Sequence, residues 1–527
     1  MFIRRINKKV KDKVYTTIYL TESYRENGKV KHRHISNISN WPKEMIDSFE
    51  KMLKGKEYNN INDLKLSLGK SFGAISVISE ISKRLGISQA FGTSKQAKLA
   101  LFQVAGRIIT QGSRYYLANE WKHLQEIEKV FGLSKFNHND LYDNLNWISK
   151  NQDNIEKKIF SYRNNNKPIK NIYLYDVTSS YLEGNKNELA EYGYNRDKKK
   201  GKKQIVIGLL TDDKGYPISV EVFKGSTGDT KTVSSQLEKL KNNFGVERVV
   251  FVGDKGMVKS SQIAEIESDT YKWNYLTTIT KQQIQTLIAR NVLQLDLFAE
   301  EIVEVKTEDN TRYILRRNPV RAEDLKQNRE SKINFIKQLV LEQNKYLKEH
   351  KRAQEDVALR KITSKISSLK LNKIVGVKLE EREIIITIDS FAQKKEEELD
   401  GCYVVKTNAS EKDLDTKTAH ERYKDLANVE FAFRTMKTTL EEIRPIYVRK
   451  AENTKGHVFV VMLGYMIVKY ITDTLSELGF SRKYIFESLD KISYLKYTYE
   501  GKEINIAPKE LLSHQKSILE KLKISIK

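Results

Sequence analysis

Between residues 171 and 280 the chain alternates short apolar runs with helical spacing in an order that few architectures accept. Residues 171–176 and 204–210 are β runs, and the turn-forming Asp212-Asp213-Lys214-Gly215 leads from the second into a third at 218–223. Helical spacing over about 230–243 comes next, then the run Val249-Val250-Phe251-Val252 closing on Gly253-Asp254. A second helix and a strand at 275–279 complete the segment. Three antiparallel strands followed by strand–helix units predict an α/β fold, a mixed sheet with helices packed on it.

The flanks differ in character. Residues 282–400 interrupt the alternation: 301–306, 312–316 and 382–388 look like strands, while 320–375 contain no Pro or Gly. Ile333, Ile336, Val340 and Leu347 keep helical spacing there, so this is an inserted α+β subdomain with a long charged helical hairpin. A β run follows at 403–406, then a single amphipathic helix over 419–443, and the tail 456–525 reads as mostly helical. At the other end, β-rich segments at 14–20 and 30–38 flank Asn27-Gly28, a hairpin signal. His32 and His34 share a strand face, but with no further Cys or His nearby they read as ordinary strand residues. Pro42 opens a helix near 43–54, and 72–147 is helical, with Ile75, Ile78, Ile81 and Leu85 in one stripe. Leu85-Gly86-Ile87-Ser88 is similar to the turn of a helix-turn-helix, a weak pattern that a plain bundle explains equally well.

Charge narrows the partners. Across 527 residues, Lys and Arg number 93 against 69 Asp and Glu, a net +24 that favours a polyanion, above all nucleic acid. One cysteine, Cys402, removes any disulfide framework or cysteine zinc site and suits a reducing cytoplasm. The N-terminus runs from Met1-Phe2-Ile3-Arg4-Arg5 into lysines without the apolar core of a signal peptide. The most apolar stretch, 458–468, is too short to span a bilayer and reads as a buried helix, so no membrane partner is expected.

Carboxylates carry the chemistry. Asp176 closes one apolar strand and Asp254 another, and in open α/β sheets sites form at the carboxyl ends of strands. Two such carboxylates on neighbouring strands can share a divalent cation; the plain alternative is that each caps the next turn. In the 419–443 helix, Leu426, Val429, Phe433, Met436, Leu440 and Ile443 form the buried stripe. Tyr423, Glu430 and Lys437, seven residues apart, drift only about 20° per step and line its border. A Glu there points into a neighbouring cleft, although charge at a stripe border is also common on ordinary amphipathic helices. Hard oxygen ligands select Mg2+ or Mn2+, and an ion pair can act on a phosphodiester without a Ser, Cys or His nucleophile. No Gly-rich phosphate loop accompanies them.

These residues make the chain resemble a DDE transposase of bacterial insertion sequences, in the subgroup with a Tyr-x2-Arg-x3-Glu-x6-Lys signature. Tyr423, Glu430 and Lys437 match that spacing, but Leu426 stands at the Arg position, which leaves Arg434 to supply the phosphate contact. Arg444-Pro445-Ile446-Tyr447 and Gly456-His457 are similar to the segment after the signature, and Asp176 and Asp254 match the two Asp positions. The resemblance implies an RNase H-like core in two parts, 169–281 and 401–475, split by the subdomain at 282–400. An N-terminal β-hairpin region (1–60), a helical region that binds element ends (61–168) and a C-terminal helical region (476–527) complete the expected layout.

What the resemblance implies for function is cut-and-paste transposition. Terminal inverted repeats are bound, each end is cleaved, and the freed 3′-hydroxyl attacks target DNA. Asp176, Asp254 and Glu430 are expected to be catalytic and to hold two Mg2+ ions, with Mn2+ able to substitute. Tyr423, Lys437, Arg434 and the run Lys198-Lys199-Lys200-Gly201-Lys202-Lys203 are expected to contact DNA phosphates. The run also fits a solvated loop; Tyr192 and Tyr194 before it read as surface packing and Trp273 as core. Partners are double-stranded DNA and a second copy in a synaptic dimer, at the nucleoid of a bacterial cytoplasm. Two alternatives stay open: an inactive transposase-derived DNA-binding protein, and a nuclease of the same fold without strand transfer. A phosphatase built on Asp-x-Asp fits poorly, because Thr178 stands at the second position.

Overall fold

In the computed structural model, strand β1 (Ile172–Tyr181) runs through an eight-stranded sheet and is buried along nearly its whole length. Strands β2 (Gln204–Asp212) and β3 (Pro217–Lys224) follow it as an antiparallel meander. β4 (Val250–Val252) lies parallel to β1 on the other side, and β5 (Asn274–Thr278) lies parallel to β4. β6 (Val303–Lys306), β7 (Arg312–Arg317) and β8 (Cys402–Thr407) extend the sheet antiparallel, giving the order β6-β7-β8-β5-β4-β1-β2-β3. Helices α1 (Val233–Glu238) and α2 (Ser260–Glu267) connect β3 to β4 and β4 to β5. The predicted order of three strands, helix, strand, helix, strand is what forms. The structure describes every residue except 11–12, 56–64, 165–171, 198, 300, 438–442, 444–445, 500–501 and 527. Lys198, Leu440, Arg444 and Pro445 therefore lie outside the described residues.

Close packing fixes β1 against β2. Tyr175 is fully buried, with its hydroxyl donating to the Thr232 carbonyl at 3.3 Å, and its ring tip fills the space over Gly208 on β2. A Cβ at Gly208 runs into the Tyr175 hydroxyl, so only glycine fits beneath it.

After β5 come α3 (Lys281–Ala289) and the insertion, in which α4 (Pro319–Glu349) and α5 (Glu355–Ser368) form the predicted helical hairpin. The Asn318 side chain caps α4 and Pro319 occupies its first turn. Ile333, Ile336 and Val340 of α4 pack on Ile362 and Ile366 of α5 in a core of their own, closed by the hairpin Val375–Glu380 and Glu383–Ile388. The first strand of that hairpin was not expected. Beyond it lie α6 (Ser390–Glu397), β8, α7 (Thr416–Lys424) and α8 (Leu426–Lys437). The single helix expected at 419–443 is thus two, and Asp425, whose backbone N–H still caps α7, stands between them. Residues 164–435 and 444–449 make up this unit.

The second unit comprises residues 1–163, 436–443 and 450–527. Its N-terminal sheet pairs Phe2–Val10, Lys13–Glu26 and Lys29–Asn37, one strand more than the predicted hairpin. Asn27 and Gly28, with φ of 52° and 77°, make the turn. His34 meets the Thr21 hydroxyl and His32 the Ser23 hydroxyl across the strands, as ordinary strand residues do. Helix Ile87–Phe91, after the Gly86 turn, is only five residues long, which leaves the helix-turn-helix pattern without a recognition helix. Helix Ala451–Thr474 is buried continuously from Gly456 to Val468, and a Cβ at Gly456 strikes the Leu145 carbonyl of helix His138–Asn164. Two expectations need correction here. Lys65–Ser71, inside the region read as helical, and Ser493–Tyr499 and Lys502–Ile506, inside the tail read as helical, form one antiparallel sheet. Among the described residues no helix is long and apolar enough to cross a membrane.

Candidate active site

β1 and β4 pair in parallel through Ile172↔Val250, Tyr173↔Phe251 and Leu174↔Val252. Asp176 and Asp254 each lie two residues past the last of these pairs, the same offset on neighbouring strands about 4.8 Å apart. Asp254 leaves the carboxyl end of β4 as predicted. Asp176 does not end its strand: β1 continues to Tyr181, because Thr178, Ser179 and Ser180 are buried and pair with β2.

The surroundings of Asp176 are unusual for a carboxyl. Burial, then the negative charges of Asp254 and Glu430, push it up to about 7, against the opposing Val177 N–H and the cationic Arg196. Its Oδ1 accepts the Val177 N–H at 2.8 Å. Asp254 is exposed, and its Oδ1 accepts the N–H groups of Gly256 and Met257 at 3.0 Å each, so it also caps the following turn. Arg196 was not anticipated. It precedes the lysine run, its backbone N–H donates to Ser179 Oγ, and its guanidinium meets Asp229 at 2.5 Å. The cluster Arg196-Asp197-Lys198-Lys199 was its one sequence signal.

Tyr423, the last residue but one of α7, feels the same three carboxylates. Its hydroxyl shares a 2.9 Å hydrogen bond with Thr278 Oγ1 at the end of β5. Burial first, then the charges of Asp254, Glu430 and Asp176, raise its phenol above the ordinary range. Glu430 is exposed on α8, one helix further on, so the shared line read along one continuous helix is broken between Tyr423 and Glu430. Leu426 is buried in the core, which fits its departure from the signature Arg. Arg434 is exposed one turn after Glu430, and Lys437, partly exposed, closes the helix.

A family model of the transposase DDE domain matches residues 167–467, more than half of the chain, and one of the IS1634 family transposase N-terminal domain matches residues 3–63. The chain belongs to the DDE transposase family. Among solved structures, the piggyBac transposase synaptic complex with hairpin DNA is similar over 79% of this chain and 76% of that one, at 10% identity and a TM-score of 0.36. No curated protein matches. Metal-dependent DNA cleavage and transesterification are the activity of the family, and the mixed sheet is its RNase H-like core.

In this transposase the lysines at 199–203 lie at the far end of β1 from Ile172, where Tyr181 pairs with Gln204. Lys199 and Lys200 are exposed, Lys202 pairs with Glu183 at 2.7 Å, and Lys203 stands 5.8 Å from the Tyr192 ring centre. Tyr192 and Tyr194 lie at the surface, 66% and 82% exposed, and Arg196 stands 5.8 Å from the Tyr194 ring centre. Trp273 is core, with its indole donating to the Glu247 carbonyl.

DDE transposases use divalent metal ions. Among the described residues no three acidic, His or Cys side chains are gathered as a ready-made ligand set. The donor chemistry nonetheless fits: the carboxyl of Asp176 is held toward its neutral form by burial and by two further carboxylates, a surplus of negative charge that a cation relieves.

Proposed function

We propose that this transposase cleaves the ends of its element and joins them to target DNA at Asp176, Asp254 and Glu430. The observation that carries the proposal is the convergence of the charges of Asp254 and Glu430 on the partly buried carboxyl of Asp176. The three side chains would hold two Mg2+ ions, with Mn2+ able to substitute. When bound, these supply charge for an attacking oxygen and for the oxygen that leaves. Arg196 keeps positive charge beside Asp176, and Tyr423, fixed by Thr278, presents a polar edge toward a backbone phosphate. Lys437, Arg434 and the lysines at 198–203 contact phosphates further along, adding affinity without reading sequence. The helical region at 61–168 binds the inverted repeats, and two copies synapse two ends beside the chromosome of a bacterial cytoplasm.

Glu430→Gln tests the assignment. End binding in a gel shift stays within about twofold of wild type while strand cleavage falls at least a hundredfold. Retained cleavage removes Glu430 from the site.

A further inference from the structure

A cleft of about 840 Å³ opens between the start of α4, the end of α5, α6, α3 and the adjoining ends of strands β5 and β8. Seven cationic side chains line it against two carboxylates, Glu396 and Asp400. Both carboxylates are already engaged. Buried Asp400 pairs with Arg329 and, at 3.4 Å, with Lys281; Glu396 pairs with Lys281 at 3.2 Å and Lys373 at 3.8 Å. Lys255, Arg321, Lys332 and Lys370 keep their charge without a carboxylate partner among the described residues. Four uncompensated cations around one concavity repel each other, and an occupant with spaced negative charges relieves that repulsion.

The position of the cleft says which occupant. Its wall includes Lys255, the residue after Asp254, and Thr278, the hydrogen-bond partner of Tyr423. A strand with its reacting phosphate at the carboxylates therefore continues directly into it. The cleft's cations are all Lys and Arg, which grip phosphates as point charges or forks, and Ile284, Leu371 and Leu399 add apolar lining between them.

We propose that this cleft seats the phosphodiester backbone of the DNA strand running on from the carboxylates, gripped by Lys255, Arg321, Lys332 and Lys370 without regard to sequence. The proposal rests on the reading of Asp176, Asp254 and Glu430 as the reaction centre. It gives the insertion a role: the subdomain that splits the core supplies a clamp from α4 and the end of α5.

Cys402 makes the test direct. It is the chain's one cysteine and it lines this cleft, so its labelling rate with a maleimide reports occupancy without any catalysis. Full-length protein is labelled in EDTA, free and saturated with a duplex carrying the end of its element, with binding followed by gel shift. Bound duplex is expected to slow labelling at least fivefold. In a triple variant, Arg321→Gln, Lys332→Gln and Lys370→Gln, labelling on the duplex returns toward the free rate. The slope of log affinity against log salt also falls by about 2–3. Labelling of the variant without DNA at the wild-type rate shows that its cleft is folded; a changed rate moves the test to each single variant.

Duplex bound with Cys402 labelled at the free rate overturns the clamp and leaves the carboxylate reading standing. Equal protection by a mononucleotide or inorganic phosphate overturns it too, in favour of a small-anion pocket. No duplex bound in the gel shift overturns both readings together.

Discussion

Asp176 and Asp254 sit at the same offset beyond the pair Leu174↔Val252, one on each of two neighbouring parallel strands. The negative charge of Asp254 is one reason the Asp176 carboxyl is pushed up to about 7, after burial itself. Asp254→Asn removes that charge and leaves the burial. In metal-free protein, carbon-13 titration of the Asp176 carboxyl is expected to shift down relative to wild type while staying above the ordinary value of about 3.9. An unchanged midpoint breaks the link between the two residues.

The same shift has a consequence for stability. A carboxyl raised in the folded state keeps a proton that the unfolded chain has already released between about pH 4 and pH 7. Its contribution is therefore complete below about pH 4 and is lost as pH rises through 7. Asp176→Asn does not share this loss. Urea unfolding in EDTA is expected to show the variant gaining on wild type from pH 4 to 7, and added divalent cation to stabilise wild type more than the variant.

Gly208 is held to glycine by Tyr175, the residue before Asp176. Gly208→Ala forces a side chain into the Tyr175 hydroxyl and is expected to destabilise the protein by about 1–3 kcal/mol in chemical unfolding. Cleavage at a temperature where the variant is folded falls as well, because Tyr175 shifts its neighbour Asp176.

Much of this core was legible because its strands are apolar on both faces, so 204–210 and 249–252 stand out as runs without alternation. The end of β1 was not legible: the apolar run stops at Asp176, and only pairing with β2 buries the polar Thr178, Ser179 and Ser180. Nor was the break at Asp425, since apolar spacing passes through it undisturbed. Lys65–Ser71 exposes Leu66 and Leu68, and its partner Ser493–Tyr499 lies over 400 residues away, so local pattern carries no trace of their pairing. For the site, strand ends singled out Asp176 and Asp254, and seven-residue spacing Tyr423 and Glu430; Asp254 and Glu430 bear on Asp176, and all three carboxylates on Tyr423. Arg196 escaped because a loop residue at the head of a lysine run has no period to set it apart from its neighbours.

Tyr423 is held by one hydroxyl contact, to Thr278. Tyr423→Phe keeps the ring and loses that bond, which is expected to cost about 0.5–1.5 kcal/mol of stability. End binding changes little and cleavage falls less than tenfold, because the three carboxylates are untouched. A loss as deep as that of Glu430→Gln means that the hydroxyl touches the reacting phosphate.

The central claim is that Asp176 belongs to a metal-dependent centre that cuts DNA. Cleavage of a fragment carrying the element's own end, with Mg2+ or with EDTA, for wild type and Asp176→Asn, tests it most directly. Nicking at the element end is expected only with wild type and Mg2+, while both proteins still shift the fragment in a gel. Binding by wild type without nicking in Mg2+ or Mn2+, or nicking that survives Asp176→Asn, contradicts the account.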